Sequence, residues 1–531
     1  GAGMKLTGLT WENVFLKAAI TSSREKASFY LTKYLQPAGA EVRPADSVLV
    51  QPDAREDGVF RFKLNICQMD GRAFLENGGW HLIAETDEGC FPVEAEPELA
   101  MEFDSLARVF PYAEGKAYTV WFSAEEGPDE KILPVLHSSF VARDDDWKKR
   151  LSGMKGAAFG AFSSFFRRWA RGKSKKGNLL FLTQTRNEIA GNLAAVDARI
   201  KERGLDRFFH VSYYAHEDAR GYRLTDIMKL AKLIAAQEWV LVDDFVPIFS
   251  YIDPPEDVQV IQLWHAGVGF KAVGYCRFGK PGSPHPAESY HRKYAWANAP
   301  SAEAVDVYRE VFAIEKEAFR VCGMPRLDGF TDPERIRAFR EQFFREHPEL
   351  VGKKIILFAP TYRGSGQKDA HYDYGKIGQG RLCETIGKDA VVLVKMHPFI
   401  KERMPIEEQY RGQILDFSDY PNINELYMVA DLLITDYSSC YYEYALLGGP
   451  VAFYTNDRLA YQVLRGVHRD VKETAPGRVC DTFEELLDAL SAWEFEEEKT
   501  EQFRSGLLAQ MEGSAADRVI DTILSEGGYH E

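Results

Sequence analysis

Residues 434–457, ITDYSSCYYEYALLGGPVAFYTND, read as strand, polar turn, helix, glycine turn and strand, the grammar of a parallel α/β sheet. Ser438 and Ser439 fall where a helix N-cap belongs, so unpaired backbone N–H groups are expected to open beside two hydroxyls. A helix start that follows the C-terminal end of a parallel strand is where doubly wound folds hold phosphate. An ordinary capped helix gives the same pattern, so this stretch alone leaves both readings open.

Two upstream segments point to the same place. VQVIQLWHAGVGFKAVGY (258–275) carries His265 and AVVLVKMHPF (390–399) carries His397, each just after an apolar run that ends like a buried strand. KKIILFAPTYRGSG (353–366) puts Arg363 in the same relation to its own strand. Ligands of open α/β sheets bind outside the carboxyl ends of the strands, so two imidazoles, a guanidinium and a helix start are expected to converge on one crevice. A lone strand-end histidine is usually structural; the coincidence of four such features is what points to a site.

The 531 residues exceed what one core serves and divide into about three domains. A hydrophobic fraction of 45% with 27% charged residues is ordinary for a globular protein, and no apolar run is long enough to span a bilayer. The net charge of −15 argues against a general nucleic-acid binder. GAGM reads as a cloning scar before Met4, and no signal peptide follows, which predicts a cytoplasmic protein. The 7 cysteines are scattered and never spaced C-x-x-C, so reduced thiols are expected rather than disulfides or a zinc ribbon.

Residues 1–143 offer short alternating runs such as VFRFKLNI and AYTVWFSA between Gly, Pro and Asp clusters, the pattern of a small all-β sandwich. His81 and His137 within them read as packing residues. Residues 144–177 form a basic linker. Its stretch 147–177 holds 10 Lys or Arg and no acid, interleaved with Phe162, Phe165, Phe166 and Trp169 beside Arg167 and Arg168. That spacing describes an interfacial amphipathic helix drawn to anionic lipid at about 1 kcal/mol per cation. A linker whose aromatics dock on a neighbouring domain is the alternative. From 178 the grammar becomes alternating strands and helices. It gives an N-terminal Rossmann-like half, 178–325, and a C-terminal one, 326–531, together a glycosyltransferase B (GT-B) architecture. The helices after Thr482 close the second half, with a return to the first left open.

Six segments in order, LWHAGVGFK, CGMPRLDGF, ILFAPTYRG, LVKMHP, NINELYMVADLLITDYSS and EYALLGGPVAFYTND, resemble the CDP-glycerol:poly(glycerophosphate) glycerophosphotransferase family, the teichoic acid primases and polymerases. The resemblance spans roughly residues 177–510. It implies transfer of glycerol phosphate from CDP-glycerol to a hydroxyl of a lipid-linked acceptor, with release of CMP, at the inner face of the cell membrane. The first half would take the acceptor and the second the CDP donor. By resemblance His265 is the general base, a task for which the near-neutral pKa of imidazoles in general is suited. His397, Arg363, Ser438 and Ser439 would hold the diphosphate. Glu443, Ser418 and Asn424 would border the nucleoside, Asp436 would orient an imidazole, and Lys271 and Arg326 would clamp phosphate. No metal motif and no tightly bound cofactor are expected, though a loosely held divalent cation on the diphosphate would leave nothing to read. The run His265-Ala266-Gly267-Val268-Gly269 departs from the His-Gly-Thr-Pro turn of many relatives, which leaves CDP-ribitol as a competitor to CDP-glycerol. A nucleotide-sugar glycosyltransferase and a non-catalytic membrane scaffold are the readings from other classes.

Overall fold

A computed structural model of the chain describes residues 3–33, 47–141, 175–217, 224–250, 252–267, 269–288, 290–510 and 512–529, with 161, 164, 165 and 168 among the linker. Residues 161, 164, 165 and 168 are helical and exposed, Phe165 and Arg168 among them. Phe162, Phe166, Arg167 and Trp169 lie outside the described residues. Among the described residues, no helix is long and apolar enough to cross a membrane.

The N-terminal region forms two largely antiparallel sheets, one of five strands and one of seven. Strand Val59–Asn65 shows how they face: Phe60 and Phe62 are buried while Arg61 between them is exposed, the period-two pattern of a half-buried sheet. Leu16, Phe29, Phe62, Trp80, Tyr118 and Phe122 from both sheets share one core. That core does not end with the β region, because Tyr275, Phe278 and Ala313 of the following half belong to it. Arg72 forks onto Glu315 (2.7 and 2.8 Å), and Arg309 pairs with Asp53 at 2.8 Å. The β region is therefore docked by both apolar packing and charge.

Two six-stranded parallel sheets follow. The first runs His210–Ala215, Asn178–Thr183, Trp239–Val242, Gln259–Gln262, Trp296–Ala299, Phe319–Val321 across the sheet. The second runs Ile414–Asp416, Ala390–Val394, Lys354–Phe358, Leu432–Thr435, Val451–Tyr454, Arg478–Cys480, the 3-2-1-4-5-6 Rossmann order. Ala390–Val394 and Leu432–Thr435 are buried at every position, as strands covered on both faces must be. Connections leave in opposite directions from the adjacent strands Lys354–Phe358 and Leu432–Thr435, and the gap between their C-terminal ends is the switch point where open sheets take ligands.

The last helix, Ala515–Glu526, packs Val519, Ile520 and Ile523 on Leu179 and Trp239 of the first half. Asp328 and Ser514 cap it, Asp328 accepting from the Ala515 and Ala516 amides at 2.9 and 3.0 Å. The span 326–531 thus does not stay in one half, since its final helix crosses back to cover the first.

Candidate active site

His265 follows strand Gln259–Gln262 on a turn whose backbone is pinned at four points. Gln262 Oε1 accepts from Trp264 N at 2.8 Å, and Asn192 Nδ2 donates to the Trp264 carbonyl at 2.8 Å. Arg326 Nε donates to the His265 carbonyl at 3.0 Å, and Tyr308 Oη to that of Ala266 at 2.8 Å. Trp264 sits at φ +58°, a left-handed conformation that costs a large side chain about 1–3 kcal/mol and persists only under such restraint. The His265 ring is 40% exposed, and its Nδ1 lies 3.1 Å from the Asp243 carbonyl and 3.7 Å from an Asp244 oxygen. A carbonyl only accepts, so Nδ1 carries the proton and Nε2 is left with a lone pair.

His397 is arranged in the opposite sense. Its Nδ1 accepts from the Phe399 amide at 3.1 Å, which places the ring proton on Nε2 and makes that atom a donor. Burial, then Lys271 and Lys395, hold its pKa below the ordinary histidine value, so the ring stays neutral at pH 7. Ser418 supports this turn, its Oγ accepting from Met396 N at 3.0 Å and its carbonyl accepting from Lys395 Nζ at 2.8 Å. Asn424 stands in the first turn of helix Ile423–Tyr427, where Asn422 caps its amide at 3.0 Å.

The chain after His265 crosses to the other half. Phe270 N donates to the Tyr437 carbonyl at 3.1 Å, and Ala272 N donates to that of Gly466 at 3.0 Å. A Cβ on Gly267 would lie 2.5 Å from the Tyr442 ring, and one on Gly269 would lie 2.9 Å from Ser439 N. Lys271 Nζ then stands 4.9 Å above the Tyr362 ring, and that ring is 4.8 Å from His397. One loop therefore links His265, the Ser438–Ser439 turn and His397.

Other expected site residues are placed as braces. Asp436, buried, accepts from Thr361 N at 2.9 Å and Tyr437 N at 2.6 Å, and its second oxygen is 2.9 Å from Arg363 Nη1. Arg363 also forks onto Asp457, Nε at 2.7 Å and Nη2 at 3.1 Å. Its guanidinium is thus held by two carboxylates and ties the switch-point loops together. Glu443 is buried with its carboxylate on Arg326, whose Nε holds the His265 carbonyl, so the pair ties the second half to the His265 turn of the first. The N-cap of helix Tyr441–Leu446 is Cys440, not a serine, because the Ser438 hydroxyl closes a turn onto Cys440 N at 3.2 Å before the helix begins.

Arg277, Arg465, Gln262, Asn192 and Tyr308 carry no local signature and were not singled out by sequence reasoning. Among the described residues, no group of three or more His, Cys, Asp or Glu gathers to hold a metal ion.

Two Rossmann-like halves, each with a histidine just past the end of a strand, define the class of this protein. The chain belongs to the CDP-Glycerol:Poly(glycerophosphate) glycerophosphotransferase family, whose model matches residues 164–525. It is 35% identical over 351 residues to the teichoic acid ribitol-phosphate polymerase TarL of Staphylococcus aureus, covering 65% of this chain and 62% of that protein. The teichoic acid poly(ribitol-phosphate) polymerase of Bacillus spizizenii is 32% identical, with 66% and 56% covered. The match thus spans less than two thirds of either relative. The solved wall teichoic acid polymerase TagF shares the fold with a TM-score of 0.51 at 20% identity, over 72% of this chain and 97% of that one.

Proposed function

We propose that this chain transfers a polyol phosphate from a CDP-linked donor to a hydroxyl of a lipid-linked polyol-phosphate acceptor. What supports the reading is how each Nδ1 is engaged, on the Asp243 carbonyl at His265 and by the Phe399 amide at His397, which leaves a lone pair at His265 Nε2 and an N–H at His397 Nε2. His265 Nε2 takes the proton of the acceptor hydroxyl as its oxygen attacks the polyol-bearing phosphorus. The new P–O bond forms as the bond to the CMP oxygen breaks, and the electron pair leaves with CMP. The proton passes from imidazolium to solvent. His397 Nε2–H, Lys271 and the Ser438–Ser439 turn supply donors to the phosphoryl oxygens, each worth about 2.7–4 kcal/mol of barrier by analogy with oxyanion-hole donors.

Ribitol competes with glycerol as the donor's polyol, on a specific observation. Relatives named for ribitol phosphate polymerisation are 32–35% identical to this chain, whereas those named for glycerol phosphate are 25–28% identical. The test is incubation with CDP-ribitol, CDP-glycerol and a UDP-sugar, each with a lipid-linked acceptor. CMP release from a CDP-polyol is expected. UDP formation, or no turnover of any CDP-polyol, would end the reading.

A further inference from the structure

We propose that Lys271, Arg277 and Arg465 form an anion subsite for a phosphate ester, beyond the two imidazoles and the serine turn. The identity of that phosphate rests on the polyol-phosphate transfer reading; the subsite itself does not. Lys271 and Arg277 follow His265 in the first half, and Arg465 ends helix Arg458–Leu464 in the second; a backbone bridge from Lys271 to Val467 and the Ala272 N to Gly466 carbonyl bond at 3.0 Å bring the two segments together.

Among the described residues, the charges acting on these three cations are one another and the phenols of Tyr362 and Tyr461. Lys271 stands over Tyr362, and the charges acting on Arg465 are Arg277 and the phenols of Tyr461 and Tyr362. The nearby carboxylates, Asp436 and Asp457, are both taken by Arg363. Arg277 Nη2 donates to the Pro281 carbonyl at 2.7 Å, but Arg277 Nε and Arg465 Nη1 are buried with no hydrogen-bond partner among the described residues. Gly282, at φ +75°, leaves the room this guanidinium occupies, since a Cβ there would lie 2.3 Å from Nη2.

Burial and mutual repulsion pull Lys271 down to about 8 and Arg465 down to about 10. Like charges packed together without a counter-charge weaken a fold, and groups retained at such cost mark places where a ligand supplies the missing sign. Guanidinium forks match the paired oxygens of a phosphate ester. Two sources share that chemistry, the diphosphate of the donor and a phosphodiester of the acceptor chain.

The experiment is calorimetric titration of the full chain with inorganic pyrophosphate, CDP and a short nucleotide-free polyol-phosphate oligomer. Wild type is compared with Arg277→Gln, Arg465→Met, which keeps the packing, and Arg465→Lys, which keeps the charge. The two neutral variants are expected to weaken at least one ligand tenfold or more, while Arg465→Lys stays closer to wild type. Weakened CDP assigns the subsite to the donor; a weakened oligomer with CDP unchanged assigns it to the acceptor. Equal affinity for all three ligands in every variant overturns the proposal. Binding needs no turnover, so a subsite that survives in a protein without transfer activity would refute the reaction alone.

Discussion

At the residue scale, the proposed reaction divides between two histidines that differ in which nitrogen carries the proton. His265→Ala removes the base, so transfer should fall about 10²–10⁴-fold while CDP still binds, checked by CMP release and by calorimetry. Loss of CDP binding with the activity would place His265 on the donor instead. Lys271 gives a pH signature. Its folded pKa, about 8, lies below the ordinary lysine value because of burial and then Arg465 and Arg277. Between those two values the unfolded chain binds more protons, so the ligand-free protein should gain stability as pH rises through that window. An anion beside Lys271 reverses the shift, so CDP binding at pH 8 should take up protons in wild type and not in Lys271→Met. Titrations in buffers of different ionisation enthalpy measure this directly. Both histidines were legible because each ends an apolar strand run. Arg277 and Arg465 were not, because a cation without a counter-charge is defined by what surrounds it in space.

At the level of elements, the loop after His265 does the joining. Gly267 and Gly269 are needed for closeness rather than for an unusual φ, since their missing Cβ atoms would meet Tyr442 and Ser439 N. Gly269→Ala should pry the loop from the Ser438–Ser439 turn and lower kcat more than it lowers Tm. A silent Gly269→Ala would show that the contact does not position the site. The strand–turn–helix grammar of 434–457 could be read in advance because parallel strands buried on both faces are continuous apolar runs. The shift of the N-cap to Cys440 could not, since a serine hydroxyl serves a turn as readily as a helix start. The return of helix Ala515–Glu526 was equally hidden, because an amphipathic helix names its buried face but not the core that receives it.

For the whole molecule, the β region, the two halves and the closing helix form a continuous body through shared cores. Phe278 sits between Arg277 and Lys280 in sequence and stacks on Phe110 of the β region with centroids 5.5 Å apart, so that region buttresses the cationic segment. The membrane attachment expected from the basic linker is tested at this scale as well. Replacing Phe162, Phe165, Phe166 and Trp169 together with Ser should abolish co-sedimentation with anionic vesicles, and unchanged sedimentation would remove the linker from that role.

Both imidazoles are expected to border a single cleft that holds a CDP-linked substrate. A crystal of the His265→Ala protein soaked with CDP-ribitol tests it most directly. The diphosphate is expected within hydrogen-bond distance of His397 Nε2 and the Ser438–Ser439 turn, with the polyol-bearing phosphorus turned toward position 265. A nucleotide bound elsewhere, or a diphosphate out of reach of His397, would contradict it.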